Sequence, residues 1–90
     1  MVREQLQDAA DSVRAASDAA ADPETSERLS GLADQLETLA TADRSPDHGR
    51  LARIQNAFDE VESSVNEETV EHIEQARFHV SAFRETIEGV

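Results

Sequence analysis

The residues best suited to chemistry are three side chains in the last quarter of the chain: Glu68, His72 and His79. Glu68 and His72 have the i, i+4 spacing that sets two ligands on one face of a helix. His72 and His79 lie seven apart, about 10.5 Å along a helix at about 1.5 Å per residue, too far for one metal ion to bridge. Bundles that hold two metals repeat Glu-x-x-His on two helices, and that spacing occurs nowhere in the chain. Cysteine is absent, so no thiolate site or disulfide is available. These groups read as solvated surface residues, and neither a metal nor a cofactor is expected.

Nucleophilic chemistry fares no better. The serines fall at helix starts, in turns or on solvated faces, with no glycine-rich elbow beside them. Gly31, Gly49 and Gly89 are too scattered to cradle a phosphate. Pairs of carboxylates abound, but 20 acids in 90 residues guarantee that. No catalytic residue is expected, and the protein reads as a non-enzyme.

Contact chemistry is better represented. Arg77 and Arg84 flank an apolar seam, where an arginine can lay its stem over apolar surface and fork its head onto a carboxylate. Their expected partners are Glu62 or the acids of a neighbouring subunit. Phe78 points about 160° from the seam of its helix at about 100° per residue, with Gln75 and Ala82 beside it. A large aromatic on the outer face of so acidic a protein marks a contact surface, although a single tolerated surface hydrophobe is also common. Phe78, Ala82, Arg77 and Arg84 are the interface candidates.

These side chains are set on four amphipathic stretches. The first seam is Val2, Leu6, Ala9, Val13, Ala16 and Ala20; the second is Thr25, Leu29, Leu32, Leu36 and Leu39. The third is Leu51, Ile54, Phe58, Val61 and Val65; the fourth is Thr69, Ile73, Ala76, Val80, Phe83 and Ile87. Spacings of three and four alternate throughout, the coiled-coil-like signature of helices with one apolar face. Asp22-Pro23, Ser45-Pro46-Asp47 and Asn66-Glu67-Glu68 punctuate the seams with caps and breakers. The expected helices are 2–20, 23–42, 48–64 and 67–88, all α, in one domain. A shift of 45 lays Leu6, Ala9, Val13, Ala16 and Ala20 on Leu51, Ile54, Phe58, Val61 and Val65. A shift of 44 lays Asp22, Thr25, Leu29, Leu32, Leu36 and Leu39 on Asn66, Thr69, Ile73, Ala76, Val80 and Phe83. The chain therefore reads as two tandem hairpins, 2–42 and 48–88, joined by a linker at 43–47. They form an antiparallel up-down-up-down four-helix bundle. Either a true duplication or the general likeness of amphipathic hairpins accounts for the match. The alternative is two hairpins that pair with those of a second chain. The alanine-rich first helix is either thin and tightly docked or the weakest element.

Composition bears on the setting. All eight basic residues are arginines, lysine is absent, and the net charge is -12. Such a surface suits molar salt, where the Debye length is only about 3 Å and carboxylates barely repel one another. It argues against direct binding of nucleic acid, since the nearest basic pair, Arg50 and Arg53, is flanked by Asp47 and Asp59. No apolar run approaches the ~20 residues of a membrane span, and the first residues lack a signal-peptide core. A cytoplasmic protein is expected.

The closing segment, His72-Ile73-Glu74-Gln75-Ala76-Arg77, then His79 and Phe83-Arg84-Glu85, resembles the C-terminal helix of a set of short haloarchaeal proteins of unknown function. They look like this chain in length, acidity and two helical stretches split by a proline-containing linker. The resemblance implies no activity and assigns no functional residue. The leading expectation is a helical protein–protein interaction module in a halophilic cytoplasm, with a homodimer or another protein as partner and high KCl needed for stability. The alternative is a regulatory accessory to nucleic-acid transactions that acts through a protein partner. A small enzyme or metal-binding bundle is the weakest reading.

Overall fold

Asx residues decide where three of the four helices begin. The computed structural model describes residues 3–44 and 46–87, and its elements are α1 (Glu4–Ala19), α2 (Pro23–Thr41), α3 (His48–Glu62) and α4 (Glu67–Arg84). Asp22 caps α2 by accepting from the Thr25 amide at 3.1 Å, with Pro23 in the first turn. Asp47 caps α3 by accepting from the Arg50 amide at 2.7 Å. Asn66 caps α4 by accepting from the Thr69 amide at 2.8 Å. Each cap satisfies an amide that has no partner within its helix. The hydroxyls of Thr25 and Thr69 donate back to the same cap side chains. That second bond lets Thr69 be fully buried without an unpaired oxygen.

Helix ends fall short of the hydrophobic pattern. α3 stops at Glu62, not 64, because the hydroxyls of Ser63 and Ser64 bond back to the carbonyls of Glu60 and Val61. α4 stops at Arg84, not 88. There Thr86 donates from both its amide and its hydroxyl to the Phe83 carbonyl, and Ile87 donates to Arg84, a tightened last turn. Ile87 still packs against the core from beyond the helix. Val2 and residue 88, included in the expected spans, lie outside the described residues.

α1 has no side-chain cap of its own. Arg3, just before it, instead serves the other end of α2. Its amide donates to the Ala40 carbonyl at 2.8 Å, and its guanidinium Nη1 donates to the carbonyls of Leu39 and Ala42 at 3.0 and 2.7 Å. A cation placed at a helix C-terminus meets both the unpaired carbonyls and the negative end of the dipole.

The core is all the apolar seams together. Leu6, Val13, Leu29, Leu36, Leu51, Phe58, Ile73 and Val80 are fully buried. α1 lies against both α2 and α4 at close backbone approach, while α3 lies against α4. The alanines of α1 explain that closeness: Ala9, Ala10 and Ala16 are buried and hold no bulk between the axes. The first helix is thus the thin, docked one. Two-sided packing also buries Ala10, which stands off the heptad seam; Ala33 and Ala40 of α2 are buried off their seam as well. Among the described residues there is no strand, and the radius of gyration of 12.4 Å is that of a compact domain of this length, about 12 Å.

The large seam residues share the burial of their repeat partners, although Thr25 is half-buried where Thr69 is buried. Leu6 and Leu51, Val13 and Phe58, Leu29 and Ile73, Leu36 and Val80 are all buried, whereas Asp34 and its counterpart Phe78 are both exposed.

Candidate functional site

Phe78 is 70% exposed, the one large hydrophobic side chain so placed among the described residues. Its ring meets the His79 ring edge-on, with centroids 5.6 Å apart. Helical spacing sets Glu71, Glu74, Gln75, Ala82 and Glu85 around it. All are exposed except Ala82, which is half-buried. The outer face of α4 is an aromatic knob in an acidic collar.

Arg77 faces the other way, over the junction with α3. It binds three carboxylates: Glu62, Asp59 at 2.7 Å and Glu74 at 2.8 Å. Burial alone would lower its pKa, but the hydrogen bonds it donates to its carboxylate partners outweigh that and hold it above the ordinary arginine value. Glu62 is the more enclosed acid, and burial raises its pKa above the ordinary 4.5. The hydrogen bond from Arg77 lowers that of Glu74. Arg84 donates to His48 Nδ1 at 3.1 Å and to Gln55 Oε1 at 2.6 Å, so it too is engaged within the chain. The expected Glu62 partner of Arg77 is found. Phe78 and Ala82 share one face of α4, whereas Arg77 and Arg84 turn toward α3.

A second feature escaped the sequence. α2 and α3 do not approach closely, and a groove of about 350 Å³ opens between them, lined by Leu32, Gln35, Arg50, Arg53, Ile54 and Ala57. The acids that flank its two arginines in the sequence are engaged elsewhere. Asp47 caps α3 through the Arg50 amide, and Asp59 belongs to the Arg77 cluster. Arg50 and Arg53 form no ion pair among the described residues. Only their places on the folded helices, not their spacing, could have shown this.

His72 and His79 are half-buried on α4, and no group of three His, Asp or Glu among the described residues could hold a metal. His48, which the sequence did not single out, opens α3 and has a buried Nε2 without a hydrogen-bond partner. No described helix is long and apolar enough to cross a membrane.

Fold and surface together define a small all-α protein with one exposed aromatic side chain, among the described residues, on the outer face of its last helix. Residues 1–86 match the profile of a family of unknown function, DUF7553, and the chain belongs to that family. No curated protein and no solved structure matches it.

Proposed function

We propose that this protein is a non-enzymatic, self-associating helical module that works in the salt-rich cytoplasm of a halophilic archaeon. The exposed ring of Phe78 carries the reading. A chain with 20 acids gains nothing in solubility from a phenyl group on its outer face, and aromatic anchors are where association energy concentrates. The absence of lysine and the charge of -12 support the halophilic setting.

The scaffold in this reading is an antiparallel up-down-up-down bundle of two tandem hairpins. Contacts between α1 and α2 support it, running from Arg3 with Ala40 at one end to Ser17 with Ser26 at the other. So do contacts between α3 and α4, from His48 with Arg84 to Glu62 with Arg77.

The test is light scattering after size exclusion in 2 M KCl. The wild-type chain is expected above its 9.9 kDa monomer mass. Phe78→Asp is expected at the monomer mass with its helical circular dichroism retained. A wild-type monomer at every concentration overturns self-association. The charge alone supports a second reading, a regulatory accessory to nucleic-acid transactions that covers a basic protein. Pull-down of a basic nucleic-acid-binding protein by a monomeric wild-type chain would favour it.

A further inference from the structure

We infer that the groove between α2 and α3 is the receptor for Phe78 of a second copy of this chain. This rests on the self-association reading above and names its two halves. The floor of the groove is Leu32, Ile54 and Ala57, and its volume of about 350 Å³ admits a phenyl ring. Its rim carries Arg50 and Arg53, two guanidiniums without an ion-pair partner in a chain of net charge -12.

The knob has the complementary chemistry. Glu71 lies seven residues before Phe78 and Glu85 seven after, each about 10 Å from it along the helix and on the same face. Neither is in an ion pair among the described residues. A ring seated in the groove brings one of these carboxylates to the arginine rim, where the forked guanidinium can take it in direct hydrogen bonds. Molar salt screens charges beyond about 3 Å but strengthens apolar burial. The ring therefore supplies the apolar part of the affinity, and the direct guanidinium–carboxylate hydrogen bonds, which act within that distance, supply the rest and fix the orientation.

α4 contributes no residue to the groove. Knob and receptor are thus separate patches, and each copy offers one of each. Association of this kind is either reciprocal, a two-fold dimer that makes both contacts, or head-to-tail, a larger closed ring or an open chain of copies.

Two variants test it by complementation. Phe78→Asp destroys the knob and keeps the groove; the double substitution Arg50→Gln with Arg53→Gln disables the groove and keeps the knob. In 2 M KCl each is expected as a monomer by light scattering, with helicity retained. Mixed in equal amounts they are expected to form a 1:1 dimer and nothing larger, since one knob meets one groove and both remaining patches are dead. Ala57→Leu, which fills the groove from its floor, is the second groove probe should the double variant lose helicity. If Phe78→Asp dissociates the protein but both groove variants associate like wild type, the groove assignment is overturned while self-association stands. If the two monomers do not combine, knob-in-groove pairing is overturned. A wild-type monomer overturns both readings.

Discussion

Arg3 Nη1 donates to the carbonyl oxygen of Leu39 at 3.0 Å, across 36 positions of sequence. The same nitrogen reaches Ala42, so one side chain at the start of α1 terminates α2. Arg3→Ala removes two charge-assisted hydrogen bonds and a favourable dipole contact, and the expected cost is about 1–2 kcal/mol. Urea melts in 2 M KCl measure it. Faster amide exchange in the last turn of α2 than elsewhere would locate it.

Close approach of α1 to its neighbours depends on small side chains. Ala9→Leu and Ala16→Leu are expected to destabilise by about 1–3 kcal/mol or more through overpacking. Ala16→Gly should cost about 1 kcal/mol through helix propensity. Phe58→Ala, at a fully buried ring, should cost about 3–5 kcal/mol. Thermal melts of the four variants give the order. A neutral Ala9→Leu would mean that α1 has room it is not seen to have.

Glu62 and Glu74 share Arg77 yet titrate in opposite senses. Burial raises Glu62, so the folded state takes up its proton at higher pH than the unfolded chain, and this contribution to stability is present at low pH and lost as pH rises through the raised value. Glu74 is lowered by Arg77, so its contribution is present above the ordinary 4.5 and lost as pH falls through the lowered value. Relative to wild type, Glu62→Gln should therefore gain stability as pH rises above the ordinary 4.5. Glu74→Gln should lose it as pH rises from below the ordinary 4.5 through that value. Both effects are expected within about 1 kcal/mol, because solvent screens the cluster. Melts at matched KCl on both sides of that value read the two slopes.

Salt should act on the whole molecule. Between 0.1 and 3 M KCl, screening of the -12 charge and stronger apolar burial are both expected to raise helicity and the unfolding midpoint. Circular dichroism that shows full, equally heat-stable helix at 0.1 M would contradict this.

What could be read from the chain was whatever a helix determines locally. Asp22, Asp47 and Asn66 announce their helices because a cap acts on amides two or three residues away. The seams from Leu6 to Phe83 follow from periodicity, and Phe78 is exposed because its angle on α4 already sets it opposite Val80. Long-range partnerships were beyond reach. Nothing near Arg3 indicates α2, and nothing near Ala10 says that α1 is packed on two sides. In the sequence Asp47 and Asp59 flank Arg50 and Arg53. One is spent on a cap and the other on Arg77, choices that only the assembled helices decide.

The two-sided packing of α1 sets an order of events. Its partner α2 follows after a three-residue link, a closure of low entropic cost, whereas α4 begins only at Glu67. On a chain emerging from the ribosome, the α1–α2 pair can form early, but the alanine face turned toward α4 stays wet until Glu67–Arg84 has been made. Contacts of such sequence separation form late and slow the search. The earliest helix is thus the platform on which the last one lands, and a half-made chain carries an open apolar seam that only its own completion can close.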